Sequence, residues 1–178
     1  MTLRAPRIAD ADQWRRIRLA DQALIEPFWD YSTLDWAQRH TRAMWLREYV
    51  SARRAMRSGS GLHTVIEVGG RLAGQCDAWI DAFHARSELG LWVGSQHAGT
   101  GVGTTAVRLM VAYLFEVAGV ERIAAPIAAQ NIATTRMAQR LGFTREGVMR
   151  SYMRVGHGRL DHTLWSLIRD DWAAISAP

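Results

Sequence analysis

A glycine-rich turn at Gly99-Thr100-Gly101-Val102-Gly103 stands between two segments of different character. Residues 88–93 predict a short buried strand, and residues 105–119 predict an amphipathic helix. Glycine lets the backbone turn so that successive N–H groups face one point, and a helix start adds partial positive charge there. The turn therefore predicts an anion site whose guest is a phosphate or pyrophosphate. A glycine-rich helix entry without a ligand is the alternative.

The spacing of this turn excludes two common phosphate-binding motifs. A P-loop ends in Gly-Lys followed by Ser or Thr, but all 22 basic residues of this chain are arginine. The Rossmann pattern Gly-x-Gly-x-x-Gly is absent as well, since Thr104 and Thr105 follow Gly103. The remaining pattern, Gln96-x-x-Gly99-x-Gly101, resembles the Gln/Arg-x-x-Gly-x-Gly/Ala signature with which GNAT N-acetyltransferases bind the pyrophosphate of acetyl-coenzyme A (acetyl-CoA).

The resemblance implies acetyl-CoA as co-substrate, with no metal. The residues that it places against the coenzyme are Trp92, Val93, Gln96, His97, Ala98, Gly99, Thr100, Gly101, Val102, Gly103, Thr104 and Asn131.

The periodicity of the whole chain predicts the element order β-α-α-β-β-β-α-β-α-β-β in one domain, residues 1–178. The fold class is therefore α/β: a mixed, largely antiparallel sheet with helices on both faces. This order also resembles the acyl-CoA N-acyltransferase fold over nearly the whole chain. That resemblance implies that the strands at 88–93 and 121–128 splay apart to admit the pantetheine arm.

Two segments narrow the resemblance to the branch that acetylates the N-termini of ribosomal proteins. The strand Glu88-Leu89-Gly90-Leu91-Trp92 is similar to that branch's E-L/I-G-Y-W, and residues 131–143 are similar to its N-x-x-S…L-G-F. Leu91 stands where the branch usually has tyrosine, and Thr134 where it usually has serine. The branch implies that the acceptor is a peptide or protein N-terminus, ribosomal or otherwise.

Acetyl transfer needs a deprotonated amine and a tolerated thiolate. Glu88 is the predicted general base, because it shares strand parity with Gly90 and Trp92 and faces away from the predicted core side. Thr134 is the second predicted catalytic residue, since its hydroxyl could donate to the departing sulfur. A solvated strand-end carboxylate and a helix threonine bonded to its own backbone are the respective alternatives. Asn131 could equally be the N-cap of the helix it opens.

The acceptor walls are predicted in the apolar, proline-broken segment around Pro27, Phe28 and Trp29 and in the helix that starts at Thr33, although a loop folded onto the core explains the proline-broken segment equally well. A long helix over residues 33–57 follows. Its aromatic residues are predicted to face the core, whereas Glu48 and several arginines populate its other surface.

Composition bounds the remaining possibilities. The formal net charge of +5 favours anionic ligands, but the arginines are scattered and indicate no specific nucleic acid. Cys76 is the single cysteine, so neither a disulfide nor a cysteine metal site is expected. Without a leader-like or membrane-spanning stretch, a cytoplasmic monomer or homodimer is expected. The alternatives are an antibiotic or polyamine acetyltransferase, a non-catalytic acyl-CoA sensor and a ribosome- or RNA-binding module.

Overall fold

A seven-stranded mixed sheet runs through the computed structural model, which describes residues 1–156 and 158–176. The strands are β1 (Thr2–Arg4), β2 (Gly61–Val68), β3 (Arg71–Asp81), β4 (Arg86–Val93), β5 (Arg122–Ala128), β6 (Thr144–Val155) and β7 (Gly158–Ile168). Their order in the sheet is β1-β2-β3-β4-β5-β7-β6. The β4–β5 pair is parallel, and the other five pairs are antiparallel, so the predicted fold class is confirmed.

Helices cover both faces of this sheet. They are α1 (Ala11–Ala20), α2 (Gln22–Ile25), α3 (Trp36–Arg39), α4 (Arg42–Ser58), α5 (Val102–Glu116), α6 (Ile132–Arg140) and α7 (Arg169–Ser176). Alternation along β2 divides the core, because Val65 packs with the tryptophans of α1, α3 and α4 while Ile66 packs with α5. Within the described ranges, no helix combines the length and apolarity that a bilayer crossing requires.

The predicted helix at 33–57 is wrong in one respect, because the chain forms two helices there. Asp35 accepts a hydrogen bond from the Gln38 N–H and caps α3, and the Thr41 hydroxyl accepts from Met44 and caps α4. His40 lies between them with non-helical backbone angles, and its ring is buried against Trp36. Two local caps thus override a continuous apolar periodicity.

The parallel pair opens into a cleft. Only the first residues of β4 pair with β5, and the last recorded pair joins Glu88 to Ala124. Beyond that pair β4 continues to Val93 and β5 to Ala128 without further pairing between them. Pro126, which has no N–H to donate, lies in this unpaired part of β5. The splay that the resemblance implied is therefore present.

Candidate active site

The glycine turn forms an open backbone cradle at the end of β4. Gly99 and Gly101 have φ angles of 71° and 84°, in the left-handed region that favours glycine. A Cβ built at either residue would meet no atom within 4 Å, so the space in front of both is open. Gly101 is the N-cap of α5, which begins at Val102, three residues before the predicted start.

The first turn of α5 keeps its N–H groups available. The first N–H groups of any helix lack intrahelical acceptors, and Gly101 has no side chain that could cap them. These amides and the helix dipole together form an anion site beside the open glycines. The stretch from Gln96 to Thr104, which the sequence predicts as a pyrophosphate cradle, lies on the surface at the open end of the cleft.

Asp21 holds the entry to this cradle, which sequence reasoning missed. Its buried carboxylate accepts hydrogen bonds from the Ser95 N–H at 2.7 Å and the Ser95 hydroxyl at 2.6 Å. Asp21 directly follows α1 and lies 74 positions from Ser95 in sequence, so only the fold brings the two residues together. The adjacent Gly94 leaves room for Ile17 and Asp21, because a Cβ there would lie 2.9 Å from an Ile17 methyl carbon.

Replacing Asp21 with alanine should lower the free energy of unfolding by about 1–2 kcal/mol, because the buried carboxylate and its two hydrogen bonds from Ser95 are lost. Acetyl-CoA affinity should fall less than about tenfold, since the glycine cradle itself is intact. Urea unfolding and calorimetry measure the two effects. Asp21→Asn keeps one carbonyl acceptor and should lose about half as much stability. Equal stability of wild type and Asp21→Ala would show that this anchor is dispensable.

A cavity of about 690 Å³ lies between the splayed strands, α4 and the Glu26–Phe28 turn. It brings together six of the residues predicted for the site: Phe28, Trp29, Glu88, Trp92, Asn131 and Thr134. Pro27 packs instead beside Gly156, and Val93 packs into the core on the α5 side. The cradle at 96–104 lies outside the cavity wall. The predicted residues therefore divide between the cavity, the cradle and the packing behind them.

The floor of the cavity is one face of β2, β3 and β4. Strand register places three rows of facing residues there: Gly61–Trp79–Glu88, His63–Asp77–Gly90 and Val65–Gln75–Trp92. Gly90 has no side chain in the middle of this face, and the Trp79 ring lies over its backbone. A Cβ at Gly90 would lie 2.9 Å from that ring. Glu88 lies beside Trp79 on this face and lines the cavity, whereas Leu89 and Leu91, which also reach the cavity, pack against the core cluster that includes α5.

Glu88 lies at the apex of the splay. Desolvation raises the pKa of its carboxyl, and Arg86 partly opposes that rise. Burial and the negative charge of Glu88 raise the pKa of the Tyr152 phenol, so the two groups are electrostatic neighbours. The Tyr152 ring packs edge-on against His162, with ring centroids 5.4 Å apart. A carboxylate, a phenol and an imidazole therefore gather where β4 and β5 separate.

Asn131 and Thr134 occupy the opposite wall. The side-chain Oδ1 of Asn131 accepts a hydrogen bond from the Thr134 backbone N–H at 3.1 Å, so Asn131 is the N-cap of α6. Capping uses the oxygen and leaves the amide NH₂ available to a ligand. Among the described residues the Thr134 hydroxyl has no recorded partner, and it too lines the cavity. Both side chains could therefore donate to a molecule in the cleft.

Glu48 is a cavity residue that the sequence analysis placed on the outer surface of its helix. It retains solvent access, yet desolvation by the surrounding walls raises its pKa to about 7. The Gln75 amide donates a hydrogen bond to it, and this orientation is fixed because Gln75 Oε1 accepts from Trp14 and Trp92. The missed signal is spacing: Glu48 lies three residues after buried Trp45 and four before buried Ala52.

Arg18 supplies a positive charge behind this wall. Its side chain is fully buried, and its guanidinium carbon lies 3.6 Å from the ring centroid of Trp29 and 4.8 Å from that of Trp92. The Arg18 Nε–H donates a hydrogen bond to His40 Nε2. Burial lowers the pKa of that imidazole to about 4. Arg18 therefore fixes two aromatic walls of the cavity. Among the described residues, no three His, Cys, Asp or Glu side chains gather as a metal site would require.

Comparisons with known proteins agree with this geometry. The family model described as acetyltransferase (GNAT) domain matches residues 1–144. The putative ribosomal N-acetyltransferase YdaF of Bacillus subtilis is 26% identical over 129 residues, covering 72% of this chain and 67% of that protein. A structure of Mycobacterium smegmatis RimJ in complex with CoA-disulfide is 30% identical, with a TM-score of 0.91, over 95% of this chain and 82% of that one.

A third match extends the fold comparison. The ribosomal-protein-S5-alanine acetyltransferase of Vibrio fischeri has a TM-score of 0.84 at 19% identity, over 96% of this chain and 93% of that one.

Proposed function

This chain belongs to the acetyltransferase (GNAT) domain family, and on that premise we propose that it acetylates the N-terminal α-amine of a protein. Its activity is that of an acetyl-CoA-dependent N-acetyltransferase. The single observation that supports the acceptor proposal is the cavity beside the splayed strands, which Glu88 lines; in this proposal the amine meets the thioester beside that carboxylate.

Proton energetics favour an α-amine. An α-amine has a pKa of roughly 7.7–8.0, so its deprotonation at pH 7 costs only about 1–1.4 kcal/mol. A lysine side chain with a pKa near 10.4 would cost about 4.6 kcal/mol. Two carboxyl groups of the cavity wall, Glu88 and Glu48, have pKa values raised above the ordinary carboxylate value, which brings their basicity closer to that of an α-amine.

Each part of the site has a role in this proposal. The backbone amides at residues 96–104 bind the pyrophosphate, and Asn131 and Thr134 donate to the pantetheine arm and the departing sulfur. Glu88 acts as general base on the reacting nitrogen, which attacks the thioester carbonyl directly. Trp92 and Val93 lie on the strand along which the arm runs.

Phe28 and Trp29 form the acceptor wall, with Pro27 setting the turn behind them. The relative YdaF favours a ribosomal acceptor, because its name describes it as a putative ribosomal N-acetyltransferase. A ribosomal acceptor would place the protein in the cytoplasm.

Thiol release during incubation with acetyl-CoA and a panel of acceptors tests the proposal. Peptides with free N-termini should release coenzyme A well above background, whereas the same peptides with blocked N-termini should not. Turnover only with an aminoglycoside or a polyamine would overturn the α-amine assignment in favour of a small-molecule enzyme. Acetyl-CoA binding without any thiol release would identify a sensor instead.

A further inference from the structure

Acetylation of an ammonium group requires two separate proton removals. The ammonium must lose one proton before its nitrogen can attack, and the adduct nitrogen must lose a second before it becomes an amide. The C–N bond forms, the C–S bond breaks, and the thiolate takes up one proton. One proton is therefore released overall, and two acceptors along the path would serve the two steps separately.

Of the four carboxylates that line the cavity in the described part of the chain, those of Asp30, Glu48, Asp77 and Glu88, burial raises the pKa of two, Glu48 and Glu88, and these two lie at different places. Glu88 lies at the apex of the splay and has Arg86 and Tyr152 as electrostatic neighbours. Glu48 projects from α4, which packs over β2, and therefore lies away from the splay. The described residues give the two carboxylates no electrostatic neighbour in common. The Trp79 ring, paired with Glu88 and covering Gly90, separates the Glu88 row from the Asp77 row.

We propose that Glu48 accepts the first proton, from the incoming ammonium, and that Glu88 accepts the second, from the nitrogen of the adduct. This inference rests on the proposed function, because it concerns the amine acceptor of that same site. The proton on Glu88 passes to the departing thiolate, and the proton on Glu48 returns to solvent through the open cavity. Glu48 is thereby assigned as a second catalytic residue, on the acceptor side.

The surroundings of Glu48 suit a group that binds and releases a proton. The positive charges of Arg18, on α1, and of protonated His63, on β2, lower the pKa of Glu48. The negative charge of Asp77, on β3, raises that pKa. Desolvation is the largest influence, and Gln75 fixes one lone pair of the carboxylate by a hydrogen bond. The result is a carboxyl that titrates near neutrality, close to the α-amine it would deprotonate.

The pH dependence of kcat/KM for Glu48→Gln, with a peptide that wild type acetylates, tests the assignment. Wild type should lose activity below about pH 7, where Glu48 becomes protonated. The variant should be about tenfold slower at pH 7, since roughly a tenth of an α-amine is neutral there, and within about twofold of wild type by pH 9. Glu116→Gln removes an exposed carboxylate of α5 and should match wild type throughout.

A second acceptor separates the two carboxylates. A peptide with an aminooxyacetyl group at its N-terminus presents a nitrogen that is already neutral at pH 7, so no first proton must be removed. Glu48→Gln should acetylate it within about twofold of wild type, while Glu88→Gln should remain slow. Calorimetry should give both variants the wild-type affinity for acetyl-CoA, which establishes that each cofactor site is folded.

A parallel, pH-independent loss in Glu48→Gln for both acceptors would contradict the assignment and leave Glu48 with a structural role. Wild-type activity of Glu48→Gln at pH 7 would contradict it as well. Either result leaves the α-amine proposal intact, because that proposal fails only if wild type acetylates no peptide N-terminus.

Discussion

Replacing Gly101 with valine should weaken acetyl-CoA binding by about a hundredfold. Gly101 has a φ of 84°, where a β-branched residue is strained by about 1–2 kcal/mol, so the turn would move. A side chain at this residue would also enter the open space in front of the first-turn amides and keep the phosphates away. The hundredfold loss of affinity corresponds to losing one or two charge-assisted hydrogen bonds between these amides and the phosphates, each worth about 1.5–3 kcal/mol. Calorimetric titration with acetyl-CoA measures the effect.

Gly119 provides the matched control. It has a φ of 70°, and a Cβ there would also meet no atom within 4 Å, but it follows the far end of α5. Gly119→Val should therefore cost similar stability in thermal unfolding and leave the acetyl-CoA affinity unchanged. If Gly101→Val binds acetyl-CoA as tightly as wild type does, the cradle is not the pyrophosphate site.

Replacing Glu88 with glutamine should lower kcat about ten- to a hundredfold, the lower part of the range for general-base catalysis. The loss is bounded because the protonated nitrogen of the adduct is acidic enough to lose its proton to water as well, and because thiolate departure from a group of pKa near 8.5 is tolerable. The side chain lines the cavity floor and accepts no hydrogen bond from the part of the chain that the structure describes, so the change should leave packing intact. Steady-state kinetics with saturating peptide measure kcat.

Two controls interpret that result. Acetyl-CoA affinity of Glu88→Gln should equal that of wild type, because the cradle lies at the other end of β4. Arg86→Gln, on the same strand, removes a charge that only partly opposes the pKa rise of Glu88, and should change kcat less than about threefold. An unaltered kcat in Glu88→Gln would exclude Glu88 as the base and leave water or the unaided amine in its place.

Local chemistry in the sequence predicts most of the sheet and the cofactor side of the cleft. The glycine turn at residues 99–103, the N-cap at Asn131 and the strand parity of Glu88 depend on neighbouring residues, and all three are present in the structure. The start of α5 was misplaced because a left-handed glycine N-cap has no side chain to reveal it. The break at His40 was missed because two caps only six residues apart are hidden by regular aromatic spacing.

The acceptor side could not be predicted in the same way. Glu48 reads as a solvated helix residue, since a polar wall around a cavity has the same sequence pattern as an outer surface. The contacts of Asp21 with Ser95 and of Arg18 with Trp92 join positions 74 apart, and no local pattern reports such pairs. The burial of Arg18 and the partial exposure of Trp79 depend on how distant elements assemble, which the periodicity of the sequence does not encode.

Mass spectrometry of one peptide that carries both a free N-terminus and an internal lysine tests the central claim most directly. After incubation with acetyl-CoA and the protein at pH 7, fragmentation should locate a single acetyl group on the α-nitrogen, with the lysine unmodified. The roughly 3 kcal/mol difference in deprotonation cost between the two amines favours that outcome. An acetyl group found only on the lysine side chain, or on neither amine, would contradict the account.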